Sequence, residues 1–102
     1  MIDLDYSQFK IVQQILQQHA PEYEVRAFGS RVSGTASRFS DLDLALISSE
    51  PVDWRRVEAL KDAFAESDLT IIVDVLDWQR ISEGFRQKVG DLYEVVQERK
   101  IQ

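Results

Sequence analysis

Asp41 and Asp43 stand two residues apart in Ser40-Asp41-Leu42-Asp43-Leu44-Ala45-Leu46-Ile47, an otherwise apolar run with the character of a β-strand. Strand side chains alternate, so the two carboxylates share a face. Neighbouring carboxylates on a hydrophobic strand repel each other and resist desolvation. A hard divalent cation such as Mg²⁺ removes both penalties, and Mg²⁺ usually keeps substrate phosphates among its ligands. The Gly29-Ser30 turn just upstream offers a place for those phosphates, because glycine lets a phosphate approach the backbone. A third acid, Asp74, interrupts the apolar run Leu69 to Leu76 between Val73 and Val75. An acid in such a strand is paired, neutralised or metal-bound, and pairing with an arginine at a strand end is the alternative to a metal. If the two strands are neighbours, Asp41, Asp43 and Asp74 face one cavity. That would supply oxygen for one or two Mg²⁺ ions, which can clamp the attacking and leaving oxygens of an in-line displacement.

The elements that must position these acids follow from periodicity. Phe9, Val12, Ile15 and Leu16 predict a helix over 7–19, capped by Ser7 or Asp5 and broken at Ala20-Pro21. Tyr23 to Phe28 alternates and predicts a strand ending at Gly29. Ser30 to Ser40 is a loop that can open with one helical turn. Leu42 to Ile47 is the second strand, and Val52 to Glu66 is a helix with Val57, Leu60, Ala63 and Phe64 on one stripe. Leu69 to Leu76 is the third strand. Asp77-Trp78 opens a helix to about Lys88, and Leu92 to Val96 is a short strand or a last helix. This order predicts an α/β or α+β fold: a small mixed sheet flanked by helices. His19 is placed to meet the carbonyls at the end of the first helix. Trp54, Trp78 and Phe85 read as core or partner-contact residues.

Bulk properties narrow the function. A length of 102 residues, 44% of them hydrophobic, fits one domain over 1–102 with a real core. The net charge of −6 and pI near 4.7 lack the basic stripe of a nucleic-acid binder. There is no cysteine, so disulfides and thiolate zinc sites are excluded, and a single histidine excludes histidine metal clusters and catalytic triads. No apolar stretch spans a bilayer and no signal core follows Met1, which predicts a cytoplasmic protein. No GxxxxGK[ST] sequence is present, which disfavours a P-loop NTPase.

Phe28-Gly29-Ser30-Arg31-Val32-Ser33-Gly34, Ser40-Asp41-Leu42-Asp43-Leu44 and Val73-Asp74-Val75 together resemble the minimal nucleotidyltransferases of the DNA polymerase β superfamily, small bacterial proteins often paired with an all-helical HEPN partner as toxin and antitoxin. The family turn commonly reads GSRARG; here Val32-Ser33 replaces Ala-Arg, and Arg38 is the candidate substitute for the missing base. The resemblance implies a polymerase β-like core, with Gly29, Ser30 and Arg31 holding a nucleotide. It implies Asp41, Asp43 and Asp74 as metal ligands and catalytic residues, with Asp74 nearest the acceptor hydroxyl. The implied reaction transfers AMP from Mg·ATP to a hydroxyl, expected to be a tyrosine of a HEPN-type toxin, so that this chain acts as antitoxin. A non-catalytic antitoxin that neutralises its partner by complex formation is the alternative. The bland alternatives for the loop are that Arg31 and Arg38 are solvated charges and that Ser33, Thr35 and Ser37 only shape it. The short chain predicts that the acceptor is brought by another molecule.

Overall fold

The computed structural model describes residues 2–100. Its elements, in chain order, are α1 (Tyr6–His19), β1 (Glu24–Phe28), α2 (Ser30–Ser33), β2 (Leu42–Ile47), α3 (Trp54–Ala65), β3 (Val73–Asp77), a 3₁₀ turn (Trp78–Arg80), α4 (Glu83–Val89) and β4 (Glu94–Gln97). The four strands form one mixed sheet in the order β3-β2-β1-β4. β1 runs antiparallel to both β2 and β4, whereas β2 and β3 are parallel and joined by the crossover through α3. This is the expected α+β architecture, and β4 settles the last element as a strand.

Alternation divides the sheet into two unlike faces. Val25, Ala27, Leu42, Leu44, Leu46, Val73 and Val75 face α1 and α3, where Val12, Leu16, Leu60 and Phe64 close the core. Leu44 is fully buried, and burying a leucine stabilises a fold by about 1.5–3 kcal/mol. The opposite face carries Phe28, Asp43, Ala45 and Asp74 and is covered in part by α4, whose Phe85 meets Phe28 edge-on at 5.9 Å.

Asp5 caps α1 by accepting from the Gln8 N–H at 2.9 Å, and Asp53 caps α3 through Arg55 N–H at 3.0 Å. The C-terminal end of α1 is met by Arg56, whose Nε donates to the His19 carbonyl at 3.2 Å. Two elements are shorter than their patterns predict. Residues 69–72 lie outside β3, because β2 is β3's partner and pairing begins only at Leu42↔Val73. The expected helix from Asp77 to Lys88 is broken, because Ser82 accepts from Phe85 N–H at 3.1 Å and starts α4 afresh.

Candidate active site

The sheet register sets the geometry of the acids. Asp43 on β2 lies directly beside Asp74 on β3, and Phe28 on β1 lies beside Asp43. Laterally paired residues project from the same face, so Asp43 and Asp74 are neighbours. Asp41 is exposed and immediately precedes β2. Among the described residues, none of these three carboxylates has a hydrogen-bond donor or a cationic partner. Burial raises the pKa of Asp43, and the charges of Asp74 and Asp41 push it further in the same direction. This is an electrostatic deficit that a cation would fill.

The Gly29-Ser30 turn closes on the same spot. Gly29 has φ +83°, a conformation that favours glycine, and a Cβ built there would overlap Asp43 Oδ2. The backbone therefore requires glycine, and a side chain there would also push the Asp43 carboxylate aside. Ser30 begins the single turn of α2, as the sequence predicts. Beside the turn lies an open cleft of about 300 Å³, lined by Phe28, Gly29, Ser30 and Ser33 on one side and by α4 on the other.

The resemblance implies that Arg31 helps hold a nucleotide; in the structure its guanidinium is engaged by the protein itself. Its side chain turns inward and is only 7% exposed. Nε donates to the Ser40 carbonyl at 2.9 Å, Nη1 to the Asp3 carbonyl at 2.7 Å and Nη2 to the Arg38 carbonyl at 3.2 Å. Nε and Nη2 thus serve the loop that delivers Asp41, while Nη1 holds the segment leading into α1. The same bonds overturn the alternative that Arg31 is a solvated charge. Arg38 is exposed, with its guanidinium 5.5 Å from the Phe39 ring centre. Ser33 and Thr35 share a hydroxyl hydrogen bond of 2.8 Å and Ser37 bonds Ser40, consistent with shaping the loop.

A divalent cation fits this donor set on the grounds just given: two facing carboxylates, a third close by in sequence, and no competing cation among the described residues. Among the described residues no three acidic or histidine side chains are gathered closely enough to hold a metal ion as they stand. Asp43 and Asp74 are the pair in register.

A Nucleotidyltransferase domain model matches residues 9–101. The chain belongs to this nucleotidyltransferase family. A probable protein adenylyltransferase, MntA of Haemophilus influenzae, is 50% identical over 99 residues, which span 97% of this chain and 87% of that protein. A solved mutant of the toxin–antitoxin pair MntA-HpeT matches this nucleotidyltransferase with a TM-score of 0.70 at 26% identity, over 91% of this chain and 73% of that one. A second mutant of the same pair gives 0.67 at 27% identity, over 90% and 71%. No helix among the described residues is long and apolar enough to cross a membrane.

Asp77 and the cleft face of α4 carry no motif signal in this nucleotidyltransferase. Asp77 was visible only as a residue opening a helix. The α4 face was visible as the spacing of Phe85, Lys88, Val89 and Leu92, which reads equally well as core.

Proposed function

We propose that this nucleotidyltransferase moves AMP from Mg·ATP to a hydroxyl of a HEPN-type toxin partner, with tyrosine as the acceptor, and thereby acts as an antitoxin. The observation that carries the reading is the Asp43–Asp74 pairing against the Gly29 turn. The half-identical adenylyltransferase MntA supports the donor and reaction class, and the MntA-HpeT pairs support a toxin as partner.

In this reading Asp43, Asp74 and Asp41 hold Mg²⁺. When bound, the ion offsets charge on the phosphates and draws the carboxylates together. The Gly29-Ser30 turn presents backbone N–H groups and the Ser30 hydroxyl to the triphosphate tail. Arg31 keeps the 34–40 loop in place and so fixes where Asp41 emerges. Asp74, exposed on the edge strand, takes the acceptor's proton on its carboxylate. The acceptor oxygen bonds to the α-phosphorus, the bond to the β-phosphate oxygen breaks, and pyrophosphate leaves with the electron pair.

Incubation with Mg·ATP and the partner, followed by intact-mass measurement of the partner, tests the proposal. The expected result is a gain of one adenylate, lost with Asp43→Ala. No gain, or an equal gain with Asp43→Ala, overturns it. If the partner is still neutralised without any gain, the protein is a binding antitoxin instead.

A further inference from the structure

The Gly29-Ser30 turn is short of positive charge. Arg31, the basic residue of the turn, is spent on carbonyls, Ser33 occupies the place of the family's second arginine, and Arg38 leans on Phe39. A triphosphate carries more negative charge than one divalent cation cancels, so a protein cation beside the turn would strengthen its hold. The cleft beside the turn supplies a candidate. Its far wall is one face of α4, with Phe85, Lys88 and Val89 spaced i, i+3 and i+4, and Leu92 beyond the helix end. Among the described residues lining this cleft, Lys88 is the only cation, and it shares the cleft with Gly29, Ser30 and Ser33. Lys88 is exposed, and among the described residues no carboxylate forms an ion pair with it.

α4 is also held well enough to aim that lysine. Phe85 packs on Phe28, the residue before the turn, at 5.9 Å. Ser82 caps the helix, and Arg86 Nη2 donates to the Trp78 carbonyl at 2.8 Å. Lysine suits the task, since its compact ammonium binds phosphate oxygens as a point charge without a fixed fork geometry.

We propose that Lys88 binds the outer phosphates of the nucleoside triphosphate across the cleft from Gly29 and Ser30. In this role it replaces, from a different element, the basic residue absent at Ser33. The assignment rests on the nucleotidyl-transfer reading above. It makes Lys88 a specificity residue for triphosphates over monophosphates. The apolar lining from Phe85 and Leu92 suggests a competing role for the cleft, that of receiving the base, and the test separates the two.

Titration calorimetry in Mg²⁺ would compare wild type, Lys88→Ala, Lys88→Arg and Lys88→Glu against ATP, AMP and inorganic tripolyphosphate. Circular dichroism would confirm that each variant is folded. Lys88→Ala should weaken ATP and tripolyphosphate by about tenfold and leave AMP unchanged. Lys88→Glu should weaken them further, and Lys88→Arg should restore most of the affinity. Equal weakening of ATP and AMP overturns the proposal in favour of a base site. Unchanged ATP binding by Lys88→Ala overturns it outright while leaving nucleotidyl transfer intact. If the wild type binds neither ATP nor tripolyphosphate, the nucleotidyl-transfer reading falls together with it.

Discussion

β3 carries two aspartates, and their surroundings are opposite. Asp74 is exposed, stands beside another carboxylate, and has no donor among the described residues. Asp77, three residues later, points to the other face and is 6% exposed. It accepts from Val52 N–H at 2.8 Å, Gln79 N–H at 3.1 Å and Arg80 Nε at 3.1 Å. One acid is therefore satisfied by the fold and ties the start of α3 to the end of β3. The other, with Asp43, is left unsatisfied, which is what a site awaiting a cation requires. Residue type and strand identity are the same; only the neighbours separate a structural carboxylate from a chemical one.

That contrast can be broken by mutation. Asp43→Asn should lower nucleotidyl transfer by about a thousandfold, while unfolding without divalent cation shows unchanged or higher stability. A large loss of stability would mean that Asp43 is structural after all. Asp77→Ala should do the reverse. It strands the buried Val52 N–H and removes the Arg80 partner, at a cost of about 2–3 kcal/mol, read as a fall in Tm of roughly 10 °C or more. Transfer per folded molecule should change little.

Protonation sharpens the same comparison. The folded-state pKa of Asp43 is raised by burial and by its acidic neighbours. The native state therefore binds the proton more tightly than the unfolded chain does. Its ionisation weakens the fold as pH climbs from the ordinary carboxylate range through that raised value. Urea unfolding without divalent cation should show this slope in the wild type, reduced in Asp43→Asn, and Mg²⁺ should oppose it. Glu22 has the opposite sign. Its hydrogen bond with Arg56 lowers its pKa, so its contribution is present above the unfolded value and is lost as pH falls through the folded one. The pair is largely exposed, and Glu22→Gln should cost under about 1 kcal/mol by the same assay.

Much of the site was legible because charge inside an apolar strand is locally anomalous. Asp43 and Asp74 stood out on that ground, and alternation gave the face. Their lateral pairing required only that β2 and β3 be adjacent. Asp77 did not stand out: it sits at a strand end before Trp78, where an acid reads as a helix cap. It does cap the turn there, through Gln79 N–H, but its bond to Val52 spans 25 residues and no local pattern encodes it. The partners of Arg31 were hidden in the same way. A basic residue beside a Gly-Ser turn suggests an anion, yet its partners Asp3, Arg38 and Ser40 are backbone carbonyls, which any residue type could supply. Leu69 to Ile71 has strand composition but lies outside the β2–β3 ladder, whose first contact is the Leu42 N–H donated to the Ile72 carbonyl at 2.9 Å; composition cannot show where the adjoining strand begins.

The Arg31 clamp has a practical corollary for anyone engineering this molecule. Asp3 donates its N–H to the Arg31 carbonyl at 2.7 Å and receives Nη1 in return, while Ile2 N–H donates to Glu94 at 2.8 Å. The leading residues are thus stitched to β4 and to α2, whose Arg31 holds the segment that presents Asp41. An affinity tag or fluorescent fusion joined ahead of Ile2 would tug on that stitch and loosen the hold of Arg31 on the loop.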